Sequence, residues 1–198
     1  MAMDLGPHEL LPGERVILSK KANCVVGLSD VGLQRLRYDQ GMRAIGFGGK
    51  EAIGGQLHVT SYRLVFASHA INRAVGKLSV FLPSIVELRD TSRGLTKKLA
   101  VRTALQEVEL VVWGIPALIA AIDQQRQVLT AADARNLLAH VAHAPQVVGD
   151  AFTISKTIDL LARNVVEFAA VAGASAADPL MMASLLGLWD LANGGRQA

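Results

Sequence analysis

The alternation of apolar and polar residues in the centre of the chain predicts a β-hairpin. Residues 54–69 contain two short segments of β-forming residues, Gln56–Thr60 and Arg63–Ala67, joined by a tight polar corner. With the strand period of two, Leu57 and Phe66 each lie on the face that turns toward the core. Because an isolated hairpin is at best marginally stable, neighbouring strands must complete this core.

Five further segments rich in aliphatic or β-branched residues predict five further strands. They are Arg15–Gly27, Leu78–Leu82, Ile85–Arg89, Leu99–Ala104 and Val108–Trp113. Eight glycines lie between Gly27 and Gly55 inclusive, and such a density is unfavourable for helices and strands. We therefore predict a long loop over residues 28–54, in which only Asp30–Asp39 favours a short helix.

The pattern after the strands is helical. Pro116 falls in the first turn of a predicted helix, Ile115–Gln127, where the missing backbone donor does no harm. Thr130 and Asp133 resemble a capping box that opens a second helix, ending near Ala142. A block of strands followed by a block of helices lacks the alternation of a parallel sheet, which excludes a Rossmann-like fold.

Two more helices are predicted near the C-terminus, one capped by Asp150 and one opened by Asp178 and Pro179. Their apolar residues recur at steps of three and four, and the stripes exceed what the edge of a small domain needs. Eight of them are candidate interaction positions: Ile154, Ile158, Leu161, Val165, Phe168, Leu185, Leu188 and Trp189. They either pack within the chain or mediate self-association. Membrane-surface binding is less favoured, because the polar face lacks Lys and Arg enrichment.

The composition leaves room for a partner. Charged residues make up 19% of the 198 residues, below the usual fraction of about a quarter. Residues 1–125 carry 15 of the 20 Lys and Arg but 11 of the 17 Asp and Glu, so the positive balance lies in the strand-rich part. No Lys- or Arg-rich run indicates a nucleic-acid surface, and we expect no nucleic-acid partner.

The expected location is cytoplasmic. Cys24 is the single cysteine, which excludes an internal disulfide and is typical of a reducing compartment. The N-terminus lacks the basic and apolar regions of a signal peptide. The best candidate for a membrane span, Ala151–Ala174, is interrupted by charged residues. We therefore expect attachment to a membrane to be peripheral at most.

No catalytic or metal-binding pattern is complete in the sequence. Residues 46–51 resemble a phosphate-binding loop, but no Ser or Thr follows Lys50. His140 and His143 fall on one helix face without a third metal ligand nearby. Cys24 lies among aliphatic residues, without the electropositive setting of a reactive thiolate. The sequence therefore predicts that the protein is not an enzyme and holds no metal or cofactor.

The central hairpin carries a motif that resembles the GRAM domain, a member of the pleckstrin-homology-like (PH-like) superfold. The motif reads Gly55-x-Leu57-x-Val59-Thr60-x-x-Arg63-Leu64-x-Phe66. Weaker pieces stand in the matching order: Pro12-Gly13-Glu14, Leu82-Pro83-Ser84-Ile85-Val86 and Val112-Trp113-Gly114. The related GLUE domain is a weaker match, because Tyr38-Asp39-Gln40 lacks the glycine of its aromatic-Asp-Gly turn.

The resemblance implies an α+β fold, a PH-like antiparallel β-sandwich or barrel of about seven strands capped by the helix Ile115–Gln127. This domain covers residues 10–128, and a helical extension over residues 129–195 lies outside the family. The resemblance also implies a structural role for Arg63, which bridges strand ends.

In domains of this kind, the loop after the first strand usually grips phosphoinositide head groups. The implied anion or head-group site comprises Lys20, Lys21, Arg35, Arg37, Arg43 and Lys50, with a second basic group at Arg93, Lys97 and Lys98. Lys and Arg suit phosphate through charge and directed donors. Ordinary solvated charge remains an open alternative, because Asp30, Asp39 and Glu51 lie in the same loop.

These observations together predict a non-catalytic binding module for an anionic membrane lipid or a phosphorylated ligand. The alternative is a protein–protein interaction or self-assembly module, a homo-oligomer for example, that acts through the C-terminal helices.

Overall fold

The computed structural model describes residues 5–27, 50–69, 77–104, 107–143 and 187–194. Seven strands and two helices are formed there: β1 (Val16–Gly27), β2 (Lys50–Thr60), β3 (Arg63–Ser68), β4 (Lys77–Phe81), β5 (Ile85–Asp90), β6 (Lys98–Thr103), β7 (Glu107–Val112), α1 (Ile115–Val128) and α2 (Ala131–His143). Residues 187–192 are also helical. Short 3-10 turns occupy Pro7–Glu9 and Leu82–Ser84.

The strands form one antiparallel sheet in the order β4-β3-β2-β1-β7-β6-β5. β1 pairs with β2 along its length. Its second half also pairs with β7, where Ala22 lies opposite Val112. A register shift between Val16 and Leu18 marks an irregularity in β1, and such bulges bend and twist a strand. β1 therefore joins the two halves of the sheet.

The apolar faces of all seven strands meet in one buried cluster, so the sheet closes over itself. Leu118 and Ile122 of α1 are completely buried in this cluster. Leu57 and Phe66 of the central hairpin lie in it too. The predicted architecture is therefore confirmed as an α+β fold, in which a seven-stranded antiparallel sheet curls into a barrel that is closed by a helix.

The predicted loop over residues 28–54 is wrong at its C-terminal end. β2 begins at Lys50, and the residues from there onward pair with β1. Gly55 stands inside the strand because a Cβ at this position would lie 2.2 Å from the Ala67 carbonyl oxygen and 2.6 Å from the Phe66 ring. The glycine thus marks a close approach between two strands.

The other predicted elements that fall in the described residues are confirmed with small shifts of their ends. Leu82 belongs to a 3-10 turn instead of β4, because Pro83 after it has no backbone N–H for the ladder. Ala104 and Trp113 lie just outside β6 and β7. The predicted helix Asp30–Asp39 lies outside the described residues.

A buried ion pair joins the N-terminal segment to the central hairpin. Arg63 Nε and Nη2 lie 2.8 and 3.0 Å from the two carboxylate oxygens of Glu14, and the side chains are 2% and 0% exposed. Thr60 Oγ1 donates to Glu14 Oε1 at 2.6 Å. Arg63 also donates to Ser79 Oγ at 3.1 Å and to the Glu9 carbonyl oxygen at 2.7 Å. The structural role expected of Arg63 is confirmed by these contacts.

α2 and the C-terminal segment, residues 187–194, pack on the barrel through a second buried cluster. Its members are Leu11, Phe81, Ala134, Leu137, Val141, Leu188 and Ala192. Thr130 opens α2 as predicted, because its hydroxyl and its N–H donate to Asp133 Oδ2 at 2.6 and 2.9 Å. Gly187 allows close packing, since a Cβ there would lie 2.2 Å from Ser84 Cα.

Replacing Arg63 with Ala should lower the free energy of unfolding by about 3–5 kcal/mol, because Glu14 is then a buried charge without its partner. Urea unfolding followed by circular dichroism measures the loss. Arg102→Ala is the matched control: Arg102 Nε lies 2.8 Å from Glu87 Oε2, with side-chain exposures of 51% and 37%. This exposed pair should contribute no more than about 1 kcal/mol. Equal losses in the two variants would contradict the interpretation.

Replacing Leu188 with Ala should lower the free energy of unfolding by about 2–5 kcal/mol, because a completely buried side chain is truncated. The control, Asp190→Ala, changes an exposed position in the same helical turn. It should alter stability by no more than about 0.5 kcal/mol. If urea unfolding gives the two variants the same midpoint, the C-terminal segment does not stabilise the barrel.

Candidate anion-binding surface

Two cations from different predicted groups share one carboxylate. Lys50 begins β2 and Lys98 begins β6, and both reach Glu109 of β7. Lys50 Nζ lies 2.7 Å from Glu109 Oε2, and Lys98 Nζ lies 3.7 Å from Oε1. Lys50 reaches Glu109 across β1, so the contact depends on the strand order. Because Glu109 offsets part of their charge, these lysines are less available to an external anion.

Glu109 remains a carboxylate in this environment. Partial burial alone would raise the pKa of its carboxyl group. The hydrogen bond and charge of Lys50, together with the charge of Lys98, outweigh burial, and the pKa is lowered. Both lysines therefore keep their partner at neutral pH.

Lys20 lies beside the start of α1. Its Nζ is 3.1 Å from the position that a Cβ on Gly114 would take, and Gly114, with φ of 73°, is the residue before the helix. Lys21 points to the other face of β1 and is exposed. Neither lysine forms an ion pair with a carboxylate among the residues that the structure describes.

The turn between β5 and β6 carries the second basic group. Arg93 and Thr96 exchange backbone hydrogen bonds of 3.0 Å in both directions. Gly94 has φ of 54°, a conformation that favours glycine. Leu95 is thereby placed at the tip of the turn, where it is 90% exposed.

Trp113 leaves the sheet next to this turn. The Val112 N–H donates to the Lys97 carbonyl oxygen at 3.1 Å, which extends the β6–β7 pairing one step beyond Lys98. Trp113 itself is 67% exposed. The fold therefore brings Lys97 and Lys20 to the two ends of the short segment Val112–Gly114, although they belong to different predicted groups.

Leu95 and Trp113 are not among the predicted site residues. The sequence does contain a signal for Leu95, because an apolar residue stands alone between Arg93-Gly94 and Thr96-Lys97. The sequence gives no such signal for the exposure of Trp113, because Trp113 continues the apolar pattern of β7. Register and exposure are needed to place both on one edge of the molecule.

Several predicted positions lie outside the described residues. They are Arg35, Arg37 and Arg43 of the anion site and Ile154, Ile158, Leu161, Val165, Phe168 and Leu185 of the interaction helices. Of the other two interaction positions, Leu188 is completely buried and Trp189 is 44% exposed. Leu188 therefore packs within the chain, which was the first of the two alternatives for these helices.

A reactive cysteine and a metal centre are both absent from the described part of the chain. Cys24 is 2% exposed, and burial raises the pKa of its thiol to about 12. No group of three or more His, Cys, Asp and Glu in the described ranges is placed to hold a metal ion. None of the helices described there has the length and apolar character needed to cross a membrane.

No protein-family model and no curated protein matches the chain. Among solved structures it is similar to the C-terminal domain of an unknown protein from Leishmania infantum, with 17% identity and a TM-score of 0.41 over 59% of this chain and 87% of that one. It is also similar to the Vps36 N-terminal PH domain, with 15% identity and a TM-score of 0.39 over 60% of this chain and 83% of that one. Likeness at this level does not assign a ligand.

Glu109 is expected to make stability depend on pH. Its pKa lies below the ordinary value of 4.5, so its stabilising contribution is complete above that value and is lost as the pH falls through the lower folded-state pKa. Glu109→Gln should therefore flatten the acid side of the stability curve, measured by urea unfolding at a series of pH values. If the free energy of unfolding of Glu109→Gln falls at acid pH in the same way as that of the unmodified protein, the result would contradict the ion pairs with Lys50 and Lys98.

Proposed function

We propose that this protein is a non-catalytic binding module of the GRAM type that attaches to an anionic membrane lipid. The observation that carries the proposal is a set of cations, Lys20, Lys21, Arg93 and Lys97, which form no ion pair with a carboxylate in the described residues. Basic residues near an anionic membrane surface each contribute about 1 kcal/mol of attraction. Lys21 and Arg93 are exposed, and Lys20 and Lys97 are half-buried. A set of such residues favours an anionic surface as the ligand.

Other cations on the sheet are paired with carboxylates, which makes this set distinct. Arg89 Nη2 lies 3.1 Å from Glu107 Oε2, and Arg102 Nε lies 2.8 Å from Glu87 Oε2. Both pairs are on exposed strand faces. A paired cation presents a smaller field to an approaching anion than an unpaired one.

The GRAM assignment is supported by the roles of its motif residues. Arg63 and Thr60 form the buried corner with Glu14, and Gly55 allows the close approach of β3. Because these polar motif residues are occupied by structural contacts, they have no part in catalysis. The buried, protonated Cys24 is likewise unsuited to a nucleophilic role.

Self-assembly through the C-terminal helices stays a prediction of the sequence. Leu188 is occupied by contacts within the chain, and the exposed Trp189 is a single position. The unpaired cations favour lipid attachment over this alternative.

Removing two of the unpaired cations should weaken membrane attachment. The double variant Arg93→Gln with Lys97→Gln is expected to bind vesicles of phosphatidylcholine and phosphatidylserine about 30-fold more weakly, because two contributions of about 1 kcal/mol are lost. Co-sedimentation of the full chain with these vesicles measures the partition coefficient. Glu109→Gln should have the opposite effect, because Lys50 and Lys98 lose their partner.

The matched control is Arg89→Gln with Arg102→Gln, which removes the same net charge from positions that are already paired. It should weaken binding less than the first double variant. Equal losses, or equal binding of the unmodified protein to vesicles of phosphatidylcholine alone, would contradict attachment through the unpaired cations.

A further inference from the structure

The tip of the β5–β6 turn is apolar and held in place. Leu95, at 90%, is the most exposed of the large apolar residues in the described part of the chain. The turn around it is closed by the Arg93–Thr96 hydrogen bonds and by the bond from the Lys98 N–H to Ser92 Oγ at 3.1 Å. A rigid turn presents its tip without a further ordering cost when a partner binds.

A second exposed apolar residue stands beside this turn. Trp113 is 67% exposed and follows Val112, whose N–H is bonded to Lys97 within the same turn. Tryptophan combines an apolar ring system with a polar N–H, and it is enriched where membrane meets water. Leu95 and Trp113 together have the character of a membrane anchor, one fully apolar and the other interfacial.

The charges around this pair determine which partner it fits. Lys20 lies beside Gly114, and Arg93 and Lys97 flank Leu95. Asp90 is the opposing charge: its carboxylate accepts a hydrogen bond from the Ser92 N–H at 2.9 Å. Three positive charges against one negative charge, placed around exposed apolar side chains, complement an anionic bilayer.

We propose that Leu95 and Trp113 insert into the interfacial layer of an anionic bilayer, with Lys20, Arg93 and Lys97 contacting the head groups around them. This proposal rests on the proposed function and adds the part of the surface that enters the membrane. The barrel then meets the membrane with the β5–β6 turn and the end of β7, and the affinity has an apolar component beside the electrostatic one.

Tryptophan fluorescence tests insertion directly, because the chain has two tryptophans. In the full-length variant Trp189→Phe, Trp113 is the sole reporter. Its emission should shift to shorter wavelength on addition of phosphatidylcholine–phosphatidylserine vesicles and be quenched by lipids brominated in their acyl chains. Soluble glycerophosphoserine should leave the emission unchanged. A shift with the soluble head group alone would overturn the proposal, because a head-group pocket would then explain it.

The variant Leu95→Ser tests the apolar contribution. It should lower the partition coefficient about tenfold, because burial of a leucine side chain is lost, while circular dichroism and the melting temperature stay unchanged. Val128→Ser is the matched control: Val128 is 61% exposed and ends α1, about 20 Å along the helix from Trp113. Its partition coefficient should equal that of the unmodified protein. Equal effects of the two serine variants would overturn the proposal.

The outcomes separate this proposal from the proposed function. If Arg93→Gln with Lys97→Gln weakens binding, but Leu95→Ser does not and Trp113 emission stays fixed, attachment is electrostatic and insertion is wrong. If the unmodified protein does not bind anionic vesicles at all, the proposed function itself is wrong.

Discussion

The pairing of β1 with both β2 and β7 is the constraint on which the rest of the structure depends. β1 joins three strands on one side to three on the other, so that apolar side chains from all seven strands meet in one cluster. The same pairing carries Lys50 across to Glu109 and places Lys20 next to Gly114. Fold and surface chemistry therefore follow from one set of backbone hydrogen bonds.

Much of the fold could be predicted from the sequence because it rests on local patterns. The period of two identified the strands, and Pro116 and the Thr130–Asp133 capping box identified both helices. The start of β2 could not be predicted, because the glycines around Gly55 are unfavourable in a strand by composition. What overrides that preference is the pairing with β1, in which Lys50 lies opposite Gly27 and Gly54 lies opposite Asn23.

Less of the candidate surface could be predicted from the sequence, since a surface depends on register and burial. The sequence supplied the cations but not their partners, and Lys50 and Lys98 were placed in separate groups although they share Glu109. Nor does sequence alone distinguish an exposed apolar residue from a buried one. Leu188 and Trp189 are neighbours of similar character, yet one is completely buried and the other is 44% exposed.

The second buried cluster has a practical consequence for work with shortened forms of the protein. Phe81 belongs to the barrel and Leu11 to the segment before it, but their neighbours Leu137 and Leu188 come from much later in the chain. A fragment that stops at residue 128 would therefore expose an apolar surface of the barrel to water, and such a surface promotes aggregation. Lipid-binding measurements on such a fragment would report binding through this newly exposed apolar surface as well as binding through the native surface.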